Sequence, residues 1–591
     1  MTDAKIFRKT KIVCTLGPSS ESPETIRLLL EAGMNTARFN FSHGTHEEHR
    51  RRMETLRRVS RETGIPVAVL LDTRGPEIRT GIVPGGGKIP LTPGERVTLT
   101  VDGAECRPGR ISVSYKPLPR EVRPGDHIFI ADGLMDLEVQ GVAGGEIQAL
   151  VLSGGEIGSR KNVNVPGIRT SLPALGEGDR DDIAFGLAME VDFVAASFIR
   201  KAGDIIEVRK LVEDRRVPPL VIAKIEDREG VENIDEILRF ADGIMIARGD
   251  LGVQLPGEEI PLIQKRIIEK CNAANKPAIT ATQMLESMTV NPKPTRAELT
   301  DVANAVFDGT DAVMLSGETA GGRYPVEAVR VMAGIVRAVE SSPEYRDRAR
   351  KYFRFRESSS DIPHATAKAA HVMAEEIGAG AILGLTRRGN TARILSKYRP
   401  EQIIVAATPE EAVRNKLLLS WGVYPLVAAE TQDADEMIRN GLKAAMEAGY
   451  VKKLDRVVVV AGVPVGTPLV TNMVRVYFLG SILCRGERGF GGEVTGRVVR
   501  ARDAAEASAK LMLTGDEILV APTLDETFLP FLTDIAGYIL EGYSTVHRDR
   551  IREANPRIVG ITSAPRALEL LADNLVVTLN GEERLVYEGI I

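Results

Sequence analysis

The sequence predicts an α/β chain organised around a closed (β/α)8 barrel, and three observations carry that prediction. Short apolar runs, each followed by a helix-like stretch, recur eight times between residues 11 and 315. The alternation breaks once, over residues 76 to about 168, where Gly, Pro and short strand-like runs read as a small all-β insert, and then resumes. Polar residues gather at or just past the strand ends, on the rim where such barrels carry their active sites.

In order, Lys11–Thr15 is the first expected strand. Ser22 is placed to cap a helix over Pro23–Ala32, and Thr36–Asn40 is the second strand. An arginine-rich helix spans about 47–63, and Val67–Asp72 is the third strand. The insert, 76–168, is entered through Gly75-Pro76 and left through Pro166-Gly167. Its strand-like runs, Val97–Val101, Ile111–Tyr115, His127–Ile130 and Ile147–Leu152, suggest a small β-barrel. Phe193–Ser197, Val221–Ile225, Gly243–Ala247, Ala278–Thr282 and Ala312–Leu315 complete the eight, so the barrel occupies 1–75 and 169–345. A charged linker near 341–361, with Ser358-Ser359-Ser360, leads to a further α/β domain, 346–480. Its expected strands are Ala381–Leu385, Ile403–Ala407, Tyr424–Ala428 and Arg456–Ala461. A final segment, 481–591, opens on a Gly/Arg-rich join at 485–492 and alternates strands with helices again.

At 591 residues the chain has length for about three or four domains. A net charge of −5 and a pI near 6.0 give no sign of nucleic-acid or membrane binding. Cys14, Cys106, Cys271 and Cys484 lie far apart, with neither CxxC spacing nor a disulfide framework. The start, Met1–Lys5, lacks a signal-peptide core, and no apolar run approaches a membrane span; a soluble, cytoplasmic protein is expected.

The chemistry centres on Val221-Ile222-Ala223-Lys224-Ile225-Glu226. Side chains two apart on a strand share a face, so the ammonium of Lys224 and the carboxylate of Glu226 point the same way. Neither sits in a packed core without a partner. A divalent metal on the carboxylate with a phosphate beside the ammonium satisfies both, and so does a structural ion pair. The surroundings favour the first reading. Arg38, Asn40, Asp72, Asp250, Thr282, Ser316 and Glu318 fall at the same strand ends, and simple strand termination explains only one or two of them.

Seven blocks in order resemble the pyruvate kinase family: residues 14–18, 37–44, 71–81, 223–226, 247–252, 281–288 and 314–319. The resemblance implies phosphoryl transfer from phosphoenolpyruvate to ADP, giving ATP and an enolpyruvate that is protonated to pyruvate. It implies Mg2+ (or Mn2+) on Glu226 and Asp250, K+ on Asn40, Ser42, Asp72 and Thr73, and Lys224 as the cation that stabilises the transition state. Glu77 stands where the potassium-dependent members carry Glu. Arg38 faces the phosphoryl group; Gly249, Asp250 and Thr282 take the rest of the substrate. The nucleotide is expected at Asn40, Phe41, Ser42, His43, Arg79 and Lys161, with the insert closing over it as a lid; His43 read alone is also an ordinary loop histidine. Thr282, Ser316 and Glu318 are candidates for relaying the enol proton. The family's Glu-Thr-Ala-Lys-Gly reads Glu318-Thr319-Ala320-Gly321-Gly322 here, which leaves the donor open.

Thr386, Gly389 and Thr391, between a strand and a helix, form a phosphate cradle or a plain capped turn. In the family this loop and a second one, matched at 462–472, bind a sugar-phosphate activator; a sugar phosphate or a nucleotide is the expected effector, and a homotetramer the expected assembly. Trp421 reads as core or interface. The last segment resembles a phosphohistidine swivelling domain with a degenerate motif, Ser544-Thr545-Val546-His547, so His547 is not expected to carry phosphate. The rival readings are a carbon–carbon lyase on the same metal–carboxylate pair, which needs neither lid nor phosphoryl clamp, and a catalytically dead metabolite sensor, which needs no intact clamp.

Overall fold

The computed structural model describes residues 7–131, 133–354, 361–452, 455–464 and 470–588. The Met1–Lys5 start, Ser358-Ser359-Ser360 and part of the second effector loop, 465–469, lie outside the described residues. The chain forms two compact units, one of residues 1–371, 384–441 and 460–473, the other of 372–383, 442–459 and 474–591.

In the first unit eight parallel strands close into a barrel: β1 (Lys11–Thr15), β2 (Thr36–Asn40), β3 (Ala68–Asp72), β4 (Phe193–Ala196), β5 (Leu220–Ile225), β6 (Gly243–Ala247), β7 (Ala278–Ala281) and β8 (Ala312–Leu315). They follow chain order around the ring, and β1 closes it on both β2 and β8. The expected boundaries differ from these by about a residue. Helix caps explain part of the precision. The Ser22 hydroxyl accepts from the Thr25 N–H at 3.1 Å, and Thr45 with Glu48 forms a reciprocal capping box that starts the next helix at His46.

Alternating inward residues fill the barrel interior, among them Val13, Leu70, Ile222, Met245 and Met314. Leu418 and Leu419, some hundred residues past β8 in sequence, belong to the same apolar cluster. They plug the end at which the strands begin. Lys11, the first residue of β1, donates to the Val423 carbonyl there at 2.6 Å, and Trp421 is 1 % exposed in the core around the barrel.

The insert is a seven-stranded sheet curled into a half-barrel, with a two-stranded ribbon of Ile89–Leu91 and Gly155–Ile157. Gly75, at its entrance, has φ +75°. A side chain there would be strained and would run into Ser197 and Phe198. In the remainder of this unit Ile403–Thr408 pairs in parallel with Val423–Val427.

The second unit carries an eight-stranded mixed sheet, with 493–500, 517–521, 537–540 and 559–562 as its central parallel run. His547 caps the helix Arg548–Ala554. Among the described residues no helix is long and apolar enough to cross a membrane.

Candidate active site

Strands β2 to β6 deliver their polar ends to one rim of the barrel. Asn40 and Asp72 are register partners on β2 and β3, and Lys224 is the penultimate residue of β5. The Lys224 Nζ lies 3.1 Å from Asp72 Oδ1 and 3.0 Å from Glu226 Oε1. It also donates to the Ser197 hydroxyl at 2.6 Å. Asp72 uses its other oxygen for Arg38, whose Nε stands 2.6 Å away. Arg38 in turn donates to Thr15 Oγ1 at 2.9 Å. All six of these side chains, from Lys224 to Thr15, are buried.

This density of charge moves proton affinities in different directions. Burial pulls the Lys224 ammonium toward neutrality, but Asp72, Glu226 and Asp250 outweigh it and hold it charged. Burial likewise pushes the Asp72 carboxyl up, and Lys224 with Arg38 reverses that, keeping it below the usual carboxylate range. For Glu226 burial wins: the carboxyl is pushed up to about 7, with Lys224 opposing and Asp250 adding to the shift. The lysine is thus neutralised chiefly by Asp72, and Glu226 is left facing Asp250 short of positive charge.

Backbone donors hold the carboxylates in place. The Phe198 N–H donates to Glu226 Oε2 at 2.6 Å, and Phe198 reaches it from φ +52°, a turn immediately after β4. Ser197 links to β3 twice: its N–H donates to Thr73 Oγ1 at 3.1 Å and its hydroxyl to the Thr73 carbonyl at 2.7 Å. Asn40 Oδ1 accepts from the Ser42 N–H at 3.1 Å, which draws the β2 loop into a tight turn. The His43 side chain is exposed, and its carbonyl accepts from His49 Nε2 at 2.9 Å.

On the opposite side of the rim, Thr282 and Gln283 both have positive φ, +63° and +53°. For a β-branched residue this conformation costs about 1–3 kcal/mol and persists only where the surroundings over-determine it. Buried Arg248 supplies that restraint. It donates to the Thr282 carbonyl at 2.8 Å and makes a two-pronged pair with Asp301, both contacts 2.7 Å. The Gly249 N–H, expected to meet the substrate carboxylate, donates to Thr282 Oγ1 at 2.8 Å. Glu318, one of the three candidates for the proton relay, is held by the backbone. It is buried and both its oxygens accept backbone N–H groups, from Leu285 at 3.0 Å and Ser316 at 2.7 Å, so it ties the β7 and β8 loops together. The Ser316 hydroxyl is buried, with no hydrogen-bond partner among the described residues.

Arg79 pairs with Glu77 at the entrance of the insert, Nε to Oε2 2.7 Å. Exposed Lys161, at the exit, is joined to that entrance through its backbone: the Thr80 N–H donates to its carbonyl at 2.7 Å. A cavity of about 300 Å3 lies between these roots and the rim, bordered by Glu77, Phe198, Arg200, Asp227 and Asp250. The remaining expected loop lines a cavity of about 190 Å3 with Thr386, Arg388, Thr391, Thr408, Glu430 and Thr471. There the Gly389 N–H donates to Thr386 Oγ1 at 3.0 Å, and the Thr391 and Thr471 hydroxyls are 2.9 Å apart.

Sequence reasoning singled out the charged members of this site, noted Thr15 only as the end of the first strand, and passed over Ser197, Phe198 and Arg248. Ser197 ends an expected strand and so carried the same signal as Asp72. Arg248 had none, because its role depends on a loop 34 residues away.

The chain matches the family model described as pyruvate kinase, barrel domain, over residues 7–329, and pyruvate kinase, alpha/beta domain, over residues 364–477. It is 45 % identical to a pyruvate kinase of Sporosarcina psychrophila over 587 residues, 99 % of each chain. It is 46 % identical to one from Geobacillus stearothermophilus, over 98 % of this chain and 99 % of the relative. A crystal structure of a pyruvate kinase from Cryptosporidium parvum superposes with a TM-score of 0.76 at 40 % identity, covering 80 % of this chain and 96 % of that one. With a barrel model spanning more than half its length and relatives matching end to end, this chain belongs to the pyruvate kinase family.

Proposed function

We propose that the β2–β6 rim carries out the family's reaction, phosphoryl transfer from phosphoenolpyruvate to ADP, with Lys224 and Arg38 clamping the migrating group. The observation that carries this reading is the Lys224 ammonium, buried and held charged among carboxylates from separate strands. Phosphoryl transfer asks a protein for position and for charge to offset that of the phosphoryl oxygens, and this cluster offers both.

Glu226 and Asp250 fit a divalent cation. Burial and mutual repulsion leave Glu226 short of positive charge, and among the described residues no group of three or more acid, histidine or cysteine side chains forms a complete cage. Two carboxylates leave coordination positions for substrate and water, as suits Mg2+ or Mn2+. Such an ion, held by Glu226 and Asp250, would offset the negative charge of the substrate. Asn40, Ser42, Asp72 and Thr73 offer hard oxygens on adjacent strands, suited to K+. The Gly249 and Asp250 N–H groups suit the substrate carboxylate, which would take over the Gly249 donor from Thr282 and open a lone pair on that hydroxyl, whose proton goes to the Ala281 carbonyl at 2.6 Å. Ser316, whose hydroxyl has no partner among the described residues, is better placed to pass on a proton than Glu318.

Asn40, Phe41, Ser42, His43, Arg79 and Lys161 are assigned to the nucleotide, with the insert, 76–168, as the lid that excludes water. The family matches support a barrel over 1–75 and 169–345 and an effector domain over 346–480, with 481–591 as an appended domain. The cavity at Thr386, Gly389 and Thr391 suits a sugar-phosphate or nucleotide effector, and a cytoplasmic homotetramer completes the reading. The test is ATP formation from phosphoenolpyruvate and ADP, coupled to a reporter, with K+ replaced by a bulky quaternary ammonium salt. Activity should collapse in the replacement salt; equal rates would remove the monovalent site. Small-angle scattering should show compaction when substrate, Mg2+ and nucleotide are added together.

A further inference from the structure

We propose that Ser197 is a positioning residue for Lys224, a neutral hydroxyl that holds the ammonium while one of its other bonds is given up to the phosphoryl group. The proposal rests on the reading of Lys224 as the phosphoryl-facing cation.

An ammonium has three N–H donors. Here all three are taken, by Asp72 at 3.1 Å, Glu226 at 3.0 Å and Ser197 at 2.6 Å. To reach a phosphoryl oxygen one of them must be released, and the other two then decide where the nitrogen stands. Glu226, assigned to the divalent cation, gains a doubly charged claimant on its lone pairs, Asp72, assigned to K+, gains a singly charged one, and the Ser197 hydroxyl gains none. Asp72 and Ser197 are therefore the partners that remain.

These two do different work. Asp72 is a carboxylate shared with Arg38, so it sets the charge of the cluster. Ser197 adds no charge, and the positive charge of Lys224 stays available to the substrate. Its hydroxyl is well fixed: it is 2 % exposed and donates its own proton to the Thr73 carbonyl at 2.7 Å, leaving its lone pairs for the ammonium. The Ser197 N–H, bonded to Thr73 Oγ1 at 3.1 Å, pins the backbone as well. Behind it, a Cβ at Gly75 would come 2.8 Å from Ser197 Cβ and 2.7 Å from Phe198 Cδ2, so the entrance of the insert is packed against this turn. The next residue, Phe198, holds Glu226 through its N–H at 2.6 Å. One two-residue turn after β4 therefore fixes both neighbours of the reacting group.

A double-mutant cycle tests this, because a residue that acts through another loses its effect when that other is gone. Ser197→Ala should lower kcat about 10–100-fold, the scale for removing an outer partner of a site residue, with KM for phosphoenolpyruvate within about twofold. In a Lys224→Met background the same change should cost less than about threefold. A crystal structure of metal-free Ser197→Ala should show the ammonium displaced toward Glu226. Equal losses in both backgrounds, no loss at all, or an unmoved ammonium would each overturn the proposal. If the alanine variant fails to fold, Ser197→Cys, which keeps a weak acceptor in place, carries the same cycle. Should Lys224→Met by itself leave the rate untouched, the reading of Lys224 fails and the Ser197 question falls with it, a result distinct from additive losses.

Discussion

The barrel of this chain buries two lysines, one at each end, and they have moved in opposite directions. Lys224, at the carboxyl ends of the strands, is surrounded by Asp72, Glu226 and Asp250 and is held charged despite its burial. Lys11, at the opposite end, is 1 % exposed and donates to the Val423 carbonyl at 2.6 Å, with its Nζ 4.5 Å from the centre of the Tyr424 ring. Burial, aided by Arg8 and opposed by Glu340, pulls its proton affinity down to about 7. A carbonyl and a ring face solvate an ammonium but do not neutralise it. Carboxylates do, and they also hold the lysine in its charged form, as a doubly charged phosphoryl group would require. On the proposed reading the same residue type serves chemistry at one end and packing at the other, the division expected of the two faces of such a barrel.

Replacing each lysine by methionine sharpens the contrast. Lys224→Met should lower kcat by about 10²–10³, the scale for losing one charge-stabilising donor, while the protein stays folded. Lys11→Met should leave kcat within about threefold, because nothing near it touches the rim. Steady-state rates of the two variants, with thermal unfolding as the control, are sufficient. Equal losses would mean that the base of the barrel governs the mouth and that the division of labour is wrong.

A smaller effect concerns the proton on Glu226. Its carboxyl, pushed up to about 7 by burial, holds a proton in the folded protein that it would release near 4.5 when unfolded. Between those values the folded state binds more protons than the unfolded one, so this residue withdraws stability as pH rises through that window. A metal on Glu226 has to displace the proton. Mg2+ affinity without substrate should therefore be about tenfold weaker at pH 6 than at pH 8, with a proton released on binding at the lower pH. Calorimetric titration in two buffers reads both quantities, and Glu226→Gln should abolish the proton release. An affinity independent of pH would place the metal elsewhere.

The sequence made one end of this contrast legible and hid the other. Lys224 and Glu226 stand out because two charges close an otherwise apolar run, Asp72 because it ends a strand, and Arg38 because it lies near the end of the neighbouring one. The eight barrel strands could be counted, since each apolar run is short and bounded by turn residues. What sequence could not show depended on distant contacts. Leu418 and Leu419 entering the barrel base, the Val423 carbonyl over Lys11, and Arg248 restraining Thr282 all join segments with no local signature in common. Ser197 escaped for another reason: a serine at a strand end is commonplace, and only the left-handed turn at Phe198 makes it a partner of Lys224. The backbone N–H groups that hold the Glu318 carboxylate likewise leave no mark in sequence.

The smallest predicted effect is on stability and belongs to Lys11. With a folded-state value near 7 against about 10.5 when exposed, Lys11 is charged in both states below pH 7, where the fold bears the full cost of burying it. Above pH 7 the folded protein sheds that proton while the unfolded chain keeps it. The unfolded state then binds more protons, so stability rises with pH, by at most about 1.4 kcal/mol per unit, until the exposed value is passed. Lys224 behaves in the opposite way: its contribution is complete below about 10.5 and is lost above it. Thermal midpoints measured between pH 6.5 and 9 should therefore climb less steeply in Lys11→Met than in the parent, and the variant should be the more stable of the two at pH 6.5. If the two pH profiles run parallel, Lys11 stays charged in the folded barrel. The carbonyl and the Tyr424 ring would then stabilise the ammonium as well as three carboxylates do at the other end.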